Sequence, residues 1–94
     1  MKVENKVLKE YNGEDIKDEK GQGVKFSSVA MQAINVPVKD ESAEDKLEVY
    51  SLSQKLVSAN GSVDLSADEI VLIKKRAVIF NALLYGQICD ILDV

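Results

Sequence analysis

Three pairs of adjacent carboxylates, Asp18-Glu19, Asp40-Glu41 and Glu44-Asp45, are the residues in this chain best suited by type to bind a cation or exchange protons. Adjacent acids in polar stretches are also what a solvated surface carries, and we read them so. The segment Asn60-Gly61-Ser62-Val63-Asp64-Leu65-Ser66-Ala67-Asp68-Glu69 has the flavour of an EF-hand loop. That loop needs oxygen ligands at fixed positions, glycine at position 6 and a bidentate glutamate at position 12. With Gly61 placed at the glycine position, Leu56 falls where the first acid is required and Ala67 where the glutamate is required. Coordination fails at both ends, so the segment reads as a loop leading into a capped helix. Gly21-Gln22-Gly23 is followed by no Lys-Ser/Thr pair that would make it a phosphate loop, and reads as a turn. Lys74-Lys75-Arg76 would suit an acidic partner, but reads as the exposed side of a helix. Ala82 and Gly86 echo helix-turn-helix spacing, yet residues 87–94 carry Asp90 and Asp93 and no Lys or Arg to meet phosphates.

The chemistry that is missing matters as much. The chain has no His and one Cys. It therefore lacks the commonest general base and metal ligand, and it cannot assemble a His-based triad or a multi-thiolate zinc site within one chain. No catalytic, cofactor-binding or metal-ligating residue is assigned, and no enzymatic activity is expected. Twelve basic against sixteen acidic residues give a net charge of −4, which argues against direct binding to nucleic acid. No apolar run approaches the length of a signal peptide or a membrane span. The single Cys89 suits a reducing compartment, and a cytoplasmic protein without membrane contact is expected.

Ninety-four residues suffice for one domain that buries roughly two thirds of its unfolded surface. The spacing predicts a mainly α, α+β fold. A short N-terminal β-hairpin over residues 1–25 packs on a three- to four-helix bundle over residues 26–94. Asn12-Gly13 is the hairpin signal, read as a type I′ turn. Charge is concentrated in the first half of the chain, which is expected to be the thinner and more mobile part. No internal repeat stands out. A first helix is expected to start at Ser27 or Ser28 and to end before Pro37. A second starts at Ser42-Ala43-Glu44-Asp45 and runs to about Ser58, with Val49, Tyr50, Leu52, Leu56 and Val57 towards the core and Leu47 at the edge. A third starts at the capping box Ser66-Ala67-Asp68-Glu69 and places Ile70, Val71, Ile73, Ala77, Val78 and Phe80 on one face.

No proline interrupts the chain after that. Either one helix of roughly 39 Å continues to Leu92, or two helices meet near Asn81. The second arrangement is preferred, because a small apolar domain gains by folding back. In the continuous helix, Leu72, Ile79 and Leu83 would form a second apolar seam, a candidate interface for a homodimer.

The order of these motifs, from Asn12-Gly13-Glu14-Asp15-Ile16-Lys17-Asp18 through Gly23-Val24-Lys25-Phe26-Ser27 and Leu65-Ser66-Ala67-Asp68-Glu69-Ile70 to Tyr85-Gly86-Gln87-Ile88, resembles the small accessory proteins encoded by tailed phages and prophages. The resemblance spans about residues 8–93 and carries no catalytic residues with it. It implies a role through contacts with phage or host proteins, in assembly or in modulating a host factor. The competing expectation is an acidic inhibitor or nucleic-acid mimic that blocks a host or competitor enzyme.

Overall fold

A computed structural model describes residues 1–92. The chain is α+β and mainly helical. Its elements are β1 (Lys2–Glu4), α1 (Phe26–Asn35), α2 (Ala43–Val57), β2 (Ser62–Asp64), α3 (Ala67–Ala77) and α4 (Ala82–Leu92). The last two residues of the expected helical core, 93 and 94, lie outside the described part. α1 is central and packs on both α2 and α3, while α4 packs on α3 and β1. β1 pairs antiparallel with β2, Val3 opposite Val63. The segment ahead of the Ser66 capping box, expected to be loop, thus supplies a strand.

The N-terminal segment is knitted together rather than loose. Leu8 N–H donates to Val24 O (2.8 Å), Ile16 N–H to Leu8 O (2.9 Å) and Val24 N–H to Ile16 O (2.8 Å), which closes a ring of three bonds. Two arms project from this ring, and they are built alike. Gly13 N–H bonds Glu10 O and Glu10 N–H bonds Glu14 O; Gly21 N–H bonds Asp18 O and Asp18 N–H bonds Gln22 O. Phe26 N–H meets Lys6 O in the place of a third arm. The sequence repeats with it: Leu8-Lys9-Glu10, Ile16-Lys17-Asp18 and Val24-Lys25 recur every eight residues, with Gly13 and Gly21 in step. An internal repeat is therefore present after all. It is faint in the sequence because only the apolar-Lys-acid start and the turn glycine recur.

The expected type I′ turn is also corrected. Tyr11 and Asn12 are the central residues, and the left-handed position falls on Gly13 (φ 91°) and, in the second arm, on Gly21 (φ 79°). This is a wider turn closed by a left-handed glycine, a standard alternative in hairpins.

α1 begins at Phe26, one residue before the first serine proposed as its cap, and Lys25 in the cap position offers no side-chain bond. The partner comes from far away in sequence. Asn5 Oδ1 accepts from Ser27 N–H (2.8 Å), Asn5 Nδ2 donates to Asn60 O (3.1 Å), and Asn5 N–H donates to Gly61 O (3.0 Å). One buried amide thereby joins the start of α1 to the loop before β2.

The other helix starts are as expected. Ser42 and Ser66 each accept from the N3 backbone N–H, and Asp45 and Glu69 each reach back to the cap. Lys55 Nζ holds Glu69 from α2 (2.7 Å). Burial acts to raise the Glu69 carboxyl, but the Lys55 ammonium and the Ser66 donors outweigh it, and its pKa lies below the ordinary value. A carboxylate depressed in the folded state stabilises above its unfolded pKa and loses that contribution as pH falls through the folded one. Ser66→Ala is expected to cost about 0.5–2 kcal/mol at neutral pH and to soften the loss of stability below about pH 4. Ser62→Ala, within β2, should change stability by less than about 0.5 kcal/mol. Urea unfolding at pH 7 and pH 3 checks both.

The core is drawn from every element: Val3, Leu8, Phe26, Ala30, Ala33, Ile34, Leu52, Leu56, Leu65, Ile73, Ala77, Ile88 and Leu92 are almost wholly buried. The predicted stripes are too wide. On α2, Val49, Leu52 and Leu56 are buried, whereas Leu47, Tyr50 and Val57 are exposed; on α3, Ile70, Ile73 and Ala77 are buried, whereas Val71 and the adjoining Val78 are exposed. α2 rests chiefly on α1, and a helix with one main neighbour has a single narrow stripe covered. The expected break near Asn81 is present. Phe80 N–H closes on Ala77 O (3.0 Å), and Asn81 Oδ1 accepts Leu84 N–H (3.0 Å) to start α4. The continuous helix that would have carried the seam of Leu72, Ile79 and Leu83 is not formed.

Candidate functional site

Arg76 organises a cleft beside the end of α1. It lies near the end of α3, and its residue is only 9% exposed. Its Nη1 donates to Ile34 O and Val36 O (3.2 Å each), carbonyls at the C-terminal end of α1, where a cation suits the helix dipole. Its Nη2 meets Glu41 Oε2 at 2.8 Å, and the two side chains are 10% and 12% exposed. The expectation of a solvated Asp40-Glu41 pair and an exposed basic triplet is therefore corrected for Glu41 and Arg76. Neither burial could be read from local composition, because the partners are 35 residues apart. Asp40, in the left-handed region at φ 66°, turns the chain so that Glu41 points back to Arg76.

The pair pins the α1–α2 linker to α3 and leaves a cleft of about 410 Å³ between them. Ala33, Val36, Val38 and Leu72 line it, together with Val78 and Ile79 of the α3–α4 turn. Val36, Val38, Val78 and Ile79 are all exposed apolar side chains. Its charged lining is Lys39, Asp40, Asp45, Glu48 and Lys75, besides the Arg76–Glu41 pair. The Asp45 carboxyl is held below its ordinary value by the Ser42 backbone N–H and then the Ser42 hydroxyl, with Arg76 and Lys75 adding to the effect. It is ionised at neutral pH.

Of the three seam residues, Leu72 and Ile79 meet in this cleft. Leu83 does not: it lies in a separate groove with Lys9, Tyr11, Ala82, Gly86 and Gln87. There the Gln87 amide bonds both backbone groups of Lys9 (2.8 Å each) and fastens the first arm to α4. Sequence reading missed Val36, Val38 and Val78 as cleft residues. A hydrophobic residue on each side of Pro37 was the available signal. The other sequence candidates have structural work. Asp18 Oδ1 accepts from Lys20 N–H and Gln22 N–H within its turn, and Ser62–Asp64 is strand.

Tyr85 and Cys89 sit one turn apart on α4, and the Cys89 side chain raises the Tyr85 phenol above its ordinary pKa. Among the described residues no three His, Cys, Asp or Glu side chains are grouped to hold a metal ion. No helix among them is long and apolar enough to cross a membrane. No protein-family model, curated protein or solved structure matches this chain.

Proposed function

We propose that this chain is a small non-enzymatic protein-interaction module whose docking surface is the cleft between the α1–α2 linker and the α3–α4 turn. The observation that carries the proposal is the gathering of Val36, Val38, Val78 and Ile79, all exposed, around half-buried Leu72. Scattered surface apolar residues need no explanation, but a contiguous patch rimmed by charge is the usual composition of a protein contact. The buried Arg76–Glu41 pair supports it by holding the cleft's two walls in a fixed relation, which lowers the ordering cost of binding. The resemblance to accessory proteins of tailed phages and prophages supplies the setting: contacts with phage or host proteins in the host cytoplasm, in assembly or in modulating a host factor.

The acidic-mimic alternative is weakened by the ion pairs. Asp15, Glu41 and Glu69 are each engaged by a cation of the same chain, Lys9, Arg76 and Lys55, so these acids do not form a free phosphate-like row. Affinity capture from an infected or lysogenic host tests the proposal. A structural or host protein recovered by the wild type should be lost with Val38→Glu/Ile79→Glu, whose sites are exposed and should tolerate charge. The same prey on both would contradict the docking surface, and a nuclease or polymerase held through the acids would favour the mimic.

A further inference from the structure

We infer that Asn60 is a self-modification site: its side chain closes on the Gly61 nitrogen and is converted to aspartate and isoaspartate, which loosens the buried Asn5 amide at the start of α1. The inference goes beyond the docking surface and uses none of its residues.

An asparagine followed by glycine is the pair best suited to this reaction. The following nitrogen must reach the side-chain carbonyl carbon, and glycine has no Cβ to obstruct it. The chain has two such pairs, Asn12-Gly13 and Asn60-Gly61; Asn5, Asn35 and Asn81 precede Lys6, Val36 and Ala82. The fold treats the two pairs differently. At the first, both reacting groups are engaged: Gly13 N–H donates to Glu10 O (3.0 Å), and Asn12 Oδ1 accepts from Glu14 N–H (3.0 Å). At the second, Asn60 and Gly61 are exposed, and neither the Asn60 side chain nor Gly61 N–H has a hydrogen-bond partner among the described residues. The bonds made there fall on the carbonyls instead. Asn5, 8% exposed, donates from Nδ2 to Asn60 O (3.1 Å) and from its N–H to Gly61 O (3.0 Å). As the Gly61 nitrogen gives up its proton, negative charge builds on Asn60 O through amide resonance, and Asn5 Nδ2 is the donor that meets it.

The reaction needs only water. The Gly61 nitrogen bonds to Asn60 Cγ and loses its proton; the side-chain amide nitrogen takes up a proton and leaves as ammonia, which closes a cyclic imide. Water then breaks one of the imide C–N bonds. Cleavage at Cγ leaves aspartate. Cleavage at the main-chain carbonyl leaves isoaspartate, with the chain routed through Cγ and lengthened by a carbon. Either product adds a negative charge. In isoaspartate the former Asn60 O belongs to a free carboxylate off the main chain, so Asn5 Nδ2 loses the backbone carbonyl it holds. Asn5 Oδ1 accepts from Ser27 N–H (2.8 Å), so the change is passed to the first turn of α1.

The test incubates the full chain at mildly alkaline pH, folded and in urea, and follows asparagine, aspartate and isoaspartate at positions 12 and 60 by peptide mapping. In the folded chain Asn60 should convert faster than Asn12 by about tenfold or more, the factor set by the two hydrogen bonds that hold the slower site. In urea the two rates should draw together. Gly61→Ala should slow conversion at position 60 and leave position 12 unchanged. A Cβ at Gly61 meets nothing within 4 Å, and Gly61 has no positive φ, so the fold accepts the change. Hydrogen exchange at Ser27 N–H should be faster in the isoaspartate form than in the unmodified chain. Asn12 converting as fast as Asn60 in the folded chain, or a ratio that urea leaves unchanged, overturns the site. Unchanged exchange at Ser27 in the isoaspartate form overturns its link to α1.

Discussion

Arg76→Leu is expected to lower the unfolding free energy by about 3–5 kcal/mol, a large share of the stability of a domain this size. The guanidinium satisfies three oxygens at once: Ile34 O, Val36 O and Glu41 Oε2. Leucine fills part of the volume and replaces none of the donors. Glu41 is then left without its cation in a site 12% exposed, and two carbonyls at the end of α1 lose the guanidinium. The asymmetry between breaking a buried pair and replacing both of its members gives a second arm to the experiment. Arg76→Leu/Glu41→Leu should recover more than half of the loss, because it removes the stranded carboxylate. Urea unfolding of the two variants beside the wild type reads both effects. Equal losses in the single and double variants would show that the carbonyl bonds, not the ion pair, carry the contribution.

Phe26→Ala should cost a similar amount, about 3–5 kcal/mol. Phe26 is 0% exposed, stands at the first turn of α1 and donates its N–H to Lys6 O, the bond that takes the place of a third arm beside the ring of the N-terminal segment. Removing the phenyl group leaves a cavity in the core cluster that Phe26 shares with Val3, Leu8 and Ala30. The contrast is Tyr50→Ala. Tyr50 falls within the hydrophobic arc drawn from the sequence, yet it is 61% exposed and its hydroxyl accepts from Gln54 Nε2, one turn on. Its removal should change stability by less than about 0.5 kcal/mol. Thermal unfolding of the two variants separates them, and comparable losses would mean that Tyr50 packs in solution where it stands exposed here.

These two residues also show how far the sequence was legible. Helix starts at Ser42 and Ser66 were readable because a capping box is local: four residues contain both the acceptor and the acid that answers it. The end of α1 before Pro37 and the break at Asn81 were readable for the same reason. The start of α1 was not, since Asn5 supplies its cap from more than twenty residues away. β2 was missed because a three-residue strand has no period to detect, and its partner lies at the other end of the chain. Helical wheels placed Ile70 and Ile73 correctly. They overreached at Tyr50, Val57 and Val71, because a wheel shows which side chains share a face and not how much of that face a neighbour covers.

The candidate site divides in the same way. Leu72 and Ile79 were visible as apolar residues off the main stripe, and the structure brings them into one cleft. Leu83 was joined to them by a helix that does not continue. Val36 and Val38 enter the cleft only because Arg76 draws the linker against α3, an arrangement that no local pattern encodes.

The central claim is that contacts with other protein chains are made through this cleft and not through the rest of the surface. A benzophenone side chain installed in place of Ile79, with a second chain carrying it in place of Val57, tests this most directly when both are irradiated in the producing cell. Both positions are exposed, so neither reports burial within the fold. Position 79 is expected to give a discrete covalent adduct with a second copy or another protein, and position 57 is expected to give none. Adducts from position 57 with none from position 79 would contradict the account.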